Sequence, residues 1–127
     1  MSKKIVILNG SPRKTGNTSA LTAAFAKGAA EAGNQVTEFH LSDMKINGCL
    51  GCWCGGKDIA GKECALITCC EEHDMTVMDG VRIPMERMCA LNKWKMVGEV
   101  LIPGVLNVGD IHKTDGCAKA AALADAI

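Results

Sequence analysis

Residues 5–18 read IVILNGSPRKTGNT, an apolar run followed directly by a turn of small and hydrogen-bonding residues. A short apolar run bounded by glycine and proline is typical of a parallel strand that is covered on both faces. In the turn, two glycines let the backbone direct its N–H groups inward, and Arg13 adds a guanidinium group. Asn17 or Thr18 is predicted to cap a following helix, whose positive dipole end favours an anion. The stretch therefore predicts a strand, a phosphate-binding turn and a helix.

The next segments complete a βαβ unit. Apolar residues recur at helical spacing from Asn17 to about Ala32, and Gly33-Asn34 then ends the predicted helix. Residues Gln35 to Leu41 alternate in polarity, which is typical of a strand near the edge of a sheet. Strand, helix and strand at this spacing indicate an α/β fold with a parallel sheet.

The second half of the chain continues the same alternation. Cys64 to Thr68 is a second buried strand, and Glu72 to Trp94 is broadly helical, with Gly80 and Pro84 as predicted break points. A strand over Glu99 to Ile102 follows. The last predicted helix, Gly116 to Ile127, is rich in alanine and is capped by Thr114 or Asp115.

The segment between Asp43 and Cys64 breaks the pattern. It is rich in glycine and cysteine and has no helical periodicity. Neighbouring parallel strands need a crossover of about a dozen residues or more, usually a helix, and a long structureless loop is unusual in a compact domain. We therefore expect a piece of the usual α/β pattern to be missing here.

Composition limits the classes of function. A chain of 127 residues that is 48% hydrophobic can form one domain, predicted over residues 1–127. Fourteen basic residues balance fourteen acidic ones without a basic cluster, so we expect neither nucleic acid nor a membrane as partner. The apolar run near the amino terminus is too short for a signal peptide or a membrane span, which favours the cytoplasm.

Eight cysteines in such a chain indicate free thiols, metal binding or redox chemistry rather than a disulfide scaffold. Cys49, Cys52, Cys54 and Cys64 have the spacing C-x2-C-x-C-x9-C. Thiolates at this spacing in a glycine-rich loop can hold an iron-sulfur cluster or a zinc ion. Free thiols in a surface loop are the alternative, and the sequence leaves both open.

Two blocks of the chain resemble a known family. KIVILNGSPRKTGNTSAL and AAEAGNQVTEFHLSDMKINGCLGCWCGGKD resemble the flavodoxin-like NAD(P)H-dependent FMN reductases, especially the branch with the iron-sulfur flavoproteins. KECALIT and LNKWKMVGEVLIPGVLNVGDI are similar to the family's fourth and fifth strand regions. The blocks meet around residues 55–62, where the family's third helix-strand pair and the loop that touches the flavin ring have no counterpart. The resemblance implies a doubly wound parallel sheet that lacks its central strand and a covering helix.

The resemblance assigns the FMN phosphate to Ser11, Arg13, Asn17, Thr18 and Ser19. In a sheet of order 2-1-3-4-5 the cofactor binds where the strand order reverses. Because the loop after the family's third strand is missing, we expect Thr68, Cys69 and Glu71 to line the flavin edge if their strand moves beside the first strand. No catalytic residue is assigned, since hydride transfer from nicotinamide occurs at the flavin ring itself.

These observations lead to three hypotheses for function. The first is an FMN-binding flavoprotein that uses NAD(P)H to reduce a small-molecule acceptor. The internal deletion either spares this activity or impairs it, and the sequence leaves both open. The second is an iron-sulfur or zinc electron-transfer module built on the Cys49 to Cys64 loop, and the third is a non-catalytic remnant that binds a phosphate-bearing ligand. Because a missing strand exposes apolar surface, we also expect a homodimer or higher homo-oligomer, completed by a neighbouring chain or by exchanged elements.

Overall fold

The computed structural model describes residues 2–48 and 59–127. These residues form strands β1 (Lys4–Asn9), β2 (Gln35–His40), β3 (Glu63–Cys69) and β4 (Lys95–Ile102), and helices α1 (Asn17–Glu31), α2 (Asp79–Asn92) and α3 (Gly116–Asp125). Short 3-10 turns lie at Leu41–Asp43, Met75–Met78 and Asp110–Lys113. The order is the alternation of strands and helices that the sequence predicts.

The strands form two parallel pairs. β1 pairs with β2, with Lys4 opposite Gln35 and Asn9 opposite His40. β3 pairs with β4, with an irregularity in register between Cys64 and Ala65. Within the described ranges, β1 and β3 share no hydrogen-bonded ladder. The sheet is therefore divided beside β1, where the sequence predicts a missing strand.

Helices pack on both sides of the β3–β4 half. Val100 and Ile102 belong to the buried core that α1 and α3 cover. The alternate residues Glu99 and Leu101 lie instead on the side of the Met75–Met78 turn and α2. Since successive side chains of a strand point to opposite faces, α2 and α3 lie on opposite sides of β4. This is the doubly wound arrangement of α/β folds.

One buried apolar cluster joins the two halves of the sheet. Its largest fully buried apolar side chains are Leu21 of α1 and Ile111 of the turn before α3. Small residues let the two helices approach closely, because a Cβ added at Gly28 of α1 would lie 3.2 Å from the Cβ of Ala124 in α3. The α1–α3 layer thus holds the separate strand pairs together.

The opposite face of the β1–β2 pair carries exposed apolar side chains. Val6 is 59% exposed, Leu8 66% and Phe39 42%. Leu8 and Phe39 are register partners on the two strands, so their side chains lie on the same face. A central strand of an α/β sheet normally has both faces covered, and here the described residues cover only one.

Several sequence predictions about the elements are wrong, and the largest difference is that the helix predicted from Glu72 begins at Asp79, after the 3-10 turn Met75–Met78. β2 ends at His40, because Leu41 begins a 3-10 turn, and β4 begins at Lys95 rather than Glu99. α2 runs without a break through Pro84. A proline removes the backbone N–H that would bond to the carbonyl four residues earlier, which here belongs to Gly80, and the helix continues on its remaining bonds.

Candidate functional site

A slot of about 560 Å³ opens at the carboxyl ends of β1 and β3, where the sheet is divided. Ligands of open α/β sheets bind at this edge. Eight residues are predicted to contact the cofactor, and all but Ser19 line the slot: Ser11, Arg13, Asn17, Thr18, Thr68, Cys69 and Glu71. The sequence prediction required β3 to pair with β1. The two strands do not pair, but the end of β3 forms the far wall of the slot.

A buried polar network fixes the turn after β1. Asn9, the last residue of the strand, is 1% exposed, and its amide Nδ2 lies 2.9 Å from Glu38 Oε1 and 3.2 Å from both Ser19 Oγ and Thr22 Oγ1. Its Oδ1 accepts a hydrogen bond from the backbone N–H of Ser11 at 3.0 Å. Asn9 therefore joins β1, α1 and β2 to Ser11 in the turn that follows β1.

Two serines shape the turn from within. Ser19 is buried and donates from Oγ to the carbonyl of Arg13 at 2.8 Å, so it supports the turn from below and is absent from the slot lining. Ser11 Oγ donates to the same carbonyl at 2.9 Å and accepts from the Arg13 N–H at 3.2 Å. These bonds leave the Arg13 side chain directed away from the packed interior and exposed to solvent.

The beginning of α1 offers free hydrogen-bond donors. Its N-cap is Gly16, and no side chain caps the first turn. The first backbone bond of the helix runs from the Ala20 N–H to the Gly16 carbonyl, so the N–H groups of residues 17–19 precede the intrahelical ladder. Among the described residues, no carboxylate forms a salt bridge with Arg13. Free N–H groups, the helix dipole and a guanidinium together form an anion site.

Asn17 does not cap the helix, contrary to the sequence prediction. Its Oδ1 accepts from the Gly109 N–H at 2.8 Å and its Nδ2 donates to the Asn107 carbonyl at 2.8 Å. The side chain is thus committed to the loop before α3, about ninety positions away in sequence. Asn17 holds this loop against the phosphate-binding turn, which is a positioning role in addition to its place in the slot lining.

Replacing Asn17 with alanine is expected to lower the free energy of unfolding by about 1–2 kcal/mol, because two long-range hydrogen bonds to backbone groups are lost, one of them partly buried. Urea unfolding followed by circular dichroism measures the change. Asn92→Ala is the matched control, since Asn92 is half-buried and makes one exposed hydrogen bond, to the Met88 carbonyl of its own helix. We expect the control to lie within about 0.5 kcal/mol of the wild type. Equal losses in the two variants would contradict the anchoring role.

The loop between residues 107 and 111 is itself braced by a carboxylate. Asp110 accepts from the Lys113 ammonium at 2.7 Å and from the Asn107 N–H at 2.7 Å. The hydrogen bond from Lys113, followed by that from Asn107, holds the pKa of Asp110 below its usual range. The carboxylate form therefore persists to lower pH than in an unpaired aspartate.

The loops after β3 and β4 form the other wall of the slot. The Val105 N–H donates to the Cys70 carbonyl at 2.8 Å, and the Gly104 N–H donates to Glu72 at 3.0 Å, so the two loops stay paired beyond the strands. Gly104 has a φ of 72°, and a Cβ there would lie 2.6 Å from the imidazole of His73. Glycine is therefore required on both conformational and steric grounds.

The predicted cysteine site lies mostly outside the described residues, which exclude Cys49, Cys52 and Cys54. The fourth candidate ligand, Cys64, lies in β3, and its Sγ is 3.0 Å from Cys89 Sγ of α2. Burial, reinforced by Cys89, raises the pKa of the Cys64 thiol to about 11. Within residues 2–48 and 59–127, no group of three or more side chains of the metal-binding types is arranged to hold a metal ion.

Sequence reasoning missed two parts of this site. The sequence prediction begins the turn at Asn9 and assigns it no role, although an amide directly after an apolar run is the signal of a buried polar residue at a strand end. The contact of residues 107–111 with Asn17 has no local signal, because it depends on how α3 packs on α1. In the described part of the chain, no helix has the length and apolar composition that crossing a membrane requires.

Comparison with known proteins identifies relatives of this chain. Residues 3–80 match the family model described as NADPH-dependent FMN reductase. An iron-sulfur flavoprotein of Archaeoglobus fulgidus is 43% identical over 61 residues, which cover 48% of this chain and 26% of that protein. The chain thus spans about a quarter of the length of this curated relative.

A solved structure shows the same fold. The chain resembles a flavone reductase with a TM-score of 0.59 at 16% identity, over 96% of this chain and 60% of that one. This likeness confirms the predicted fold, a shortened flavodoxin-like α/β architecture. Because the match covers 60% of the flavone reductase chain, the rest of that chain has no counterpart in this one.

Proposed function

Since this chain belongs to the NADPH-dependent FMN reductase family, we propose that it binds FMN and transfers electrons from NAD(P)H to a small-molecule acceptor. The observation that carries the proposal is the anion site at the mouth of the slot: an uncapped helix N-terminus beside Arg13. Because the chain spans 26% of its curated relative and 60% of its structural neighbour, the activity of those whole proteins comes to it only as a proposal.

The residues around the anion site suit the phosphate of FMN. A phosphate monoester carries up to two negative charges and accepts several hydrogen bonds, which the backbone N–H groups of the first turn of α1 and the Arg13 guanidinium can donate. A side chain at Gly10 would meet no atom within 4 Å, so the turn leaves open space there. The donors and the space together fit the phosphate end of the cofactor.

The rest of the slot suits a planar, largely apolar ring. Leu8, Leu66, Val81 and Leu106 contribute aliphatic surface to its lining, and Thr68 contributes a hydroxyl. A volume of about 560 Å³ lies within the range of small-molecule sites, which is about 300–1,000 Å³. In the family, a loop contacts the flavin ring. Here the end of β3 and the loop after it take that place in the slot.

When bound, FMN would supply the hydride-accepting chemistry, as flavins do in other oxidoreductases. The chain itself binds and orients. Arg13 and the first turn of α1 hold the phosphate, and the Asn9 network keeps the turn in its binding conformation. The aliphatic walls exclude water from the ring. None of these roles needs a protein nucleophile or a general acid, so no catalytic residue is assigned.

Reduction of bound FMN by NADPH tests the activity. FMN-loaded protein is mixed with NADPH without oxygen, and the loss of the visible flavin absorbance is followed over time. We expect reduction to be faster than that of free FMN at the same concentrations. Equal rates would contradict the reductase proposal, although they would leave FMN binding intact.

The alternative of a phosphate-binding remnant makes a different prediction for three ligands. Titration calorimetry with FMN, riboflavin and inorganic phosphate distinguishes binding at the phosphate end of the slot from binding at the ring end. If both ends bind, FMN binds more tightly than either of the others. A remnant binds inorganic phosphate and FMN equally and does not bind riboflavin.

A second candidate function is an iron-sulfur centre on Cys49, Cys52 and Cys54, together with Cys64. The relative named as an iron-sulfur flavoprotein is the observation that favours it. The purified protein would then be brown and contain iron and acid-labile sulfide, and both would be lost in a Cys49→Ala, Cys52→Ala double variant. Iron-free protein after anaerobic reconstitution would eliminate this candidate.

We propose as well that a second copy of the chain covers the exposed face of the β1–β2 pair. Val6 and Leu8 lie on the strand that is central in a flavodoxin-like sheet, yet both are more than half exposed. Apolar surface at the middle of a sheet is seldom left open in a monomer. The adjacent edges of β1 and β3 also lack strand partners among the described residues, so a neighbouring chain could complete the sheet as well as cover it.

The variant Val6→Lys is expected to shift the dimer toward monomer, because it places a charge in the covered apolar face. Light scattering after gel filtration gives the mass at several protein concentrations. Leu91→Lys is the control, since Leu91 is 82% exposed and lies on α2 rather than on β1 or β2. A wild-type chain that stays monomeric at high concentration would overturn the dimer proposal.

A further inference from the structure

Two cysteines outside the slot lie close together in space. Cys64 of β3 and Cys89 of α2 are separated by 25 positions in sequence, and their Sγ atoms are 3.0 Å apart. Cys89 is only 4% exposed, whereas Cys64 is half-buried. Cys64 is therefore the more accessible residue of the pair, and Cys89 lies within 3.0 Å of it on the buried side.

The two sulfur atoms are within about 1 Å of bonding distance, since a disulfide bond length is about 2.05 Å. The β3–β4 ladder is irregular in register between Cys64 and Ala65, so Cys64 lies at a break in regular strand pairing. The other described cysteines contact different groups. The Sγ of Cys69 lies beside the Thr18 hydroxyl, the Cys70 thiol donates to the Glu72 carbonyl, and the Cys117 thiol lies near the Ala20 carbonyl.

We propose that Cys64 and Cys89 are a redox-active pair that forms a reversible disulfide between β3 and α2. The oxidant is a small disulfide of the glutathione type. At alkaline pH, where part of the Cys64 thiol is ionised despite its raised pKa, the Cys64 thiolate attacks one sulfur of oxidised glutathione, which forms a mixed disulfide and releases one glutathione. Cys89 then attacks Cys64 Sγ and expels the second glutathione. Two protein thiols lose two protons and two electrons, and one oxidised glutathione becomes two reduced ones.

The crosslink has two consequences. It ties α2 to β3, the strand whose opposite end forms a wall of the slot. Closing the intervening loop restricts the unfolded chain, and we expect the Tm of the oxidised protein to rise by roughly 10 °C. The bond also removes Cys64 from any metal ligand set. Oxidised protein would therefore have at most three cysteines left for the proposed cluster.

The test is to incubate the reduced protein with oxidised glutathione, alkylate the remaining thiols under acid quench, and map the peptides by mass spectrometry. We expect one linked peptide pair that contains Cys64 and Cys89, and an intact mass lower by two hydrogen atoms. Reduction with dithiothreitol restores both thiols and the lower Tm. Recovery of Cys64 and Cys89 as separately alkylated peptides after oxidation would overturn the proposal.

Single variants identify the order of attack without relying on stability. In Cys89→Ser the mixed disulfide stays on Cys64, so the protein gains the mass of one glutathione less two hydrogen atoms. Cys117→Ser is the matched control, because Cys117 lies near Ala20 and far from the pair. The control retains the Cys64–Cys89 bond. The disulfide is also detected directly in the wild-type chain. The test therefore remains decisive even when a variant fails to fold.

Discussion

Replacing Asn9 with leucine is expected to lower the free energy of unfolding by about 3 kcal/mol and to weaken FMN binding at least about tenfold. The side chains are similar in volume, so the loss comes from polar groups. Glu38 loses a donor 2.9 Å from its carboxylate, and the Ser11 N–H loses its acceptor. Both sit in a partly buried environment where unpaired polar groups are costly. Denaturant unfolding and FMN titration measure the two effects.

The control for this prediction is Asn34→Leu. Asn34 is a half-buried asparagine that accepts one hydrogen bond, from the Lys3 N–H at 2.9 Å, and it is remote from the slot. We expect a loss of about 1 kcal/mol and no change in the Kd for FMN. If Asn9→Leu costs no more than the control, the Asn9 network does not organise the turn.

Replacing Arg13 with alanine is expected to weaken FMN binding by about 10- to 100-fold, which corresponds to about 1.5–3 kcal/mol for a charge-assisted hydrogen bond to phosphate. Arg13 is exposed, so the free energy of unfolding should change little. The affinity for riboflavin, which lacks the phosphate, should be unchanged. Fluorescence titration of both flavins gives the comparison.

The neighbouring Lys14 provides the matched control. Its ammonium lies 2.7 Å from the Asp43 carboxylate and is absent from the slot lining, so it is a cation of the same turn with a different partner. Lys14→Ala is expected to leave the Kd for FMN within about twofold of the wild type. An equal loss in both variants would mean that the net charge of the turn, not the position of Arg13, holds the phosphate.

The local part of the fold could be predicted from the sequence. The run from Ile5 to Leu8, the turn after it and the helix from Asn17 carry their own signals of apolar pattern and glycine placement. The anomaly between Asp43 and Cys64 also predicts a missing strand, because a parallel pair needs a crossover that this segment does not provide, and the gap between β1 and β3 lies where that strand is expected. Each of these inferences depends on neighbours in sequence.

The remaining features depend on contacts between distant residues. Asn17 is a good N-cap residue by type, but its side chain is bonded to the loop before α3, and Gly16 takes the cap position instead. Pro84 is a helix breaker by type, yet α2 continues through it. The contact of Cys64 with Cys89 follows from the packing of α2 on β3. Tertiary packing decided these positions, and no local pattern encodes it.

Titration of the purified wild-type chain with FMN tests the central claim most directly. Flavin fluorescence and visible absorbance follow the binding, with riboflavin as the ligand that lacks a phosphate. We predict saturable binding of one FMN per chain, weaker binding of riboflavin, and competition by inorganic phosphate. A protein that leaves the fluorescence and absorbance of FMN unchanged at all concentrations would contradict the assignment of the slot as a flavin site.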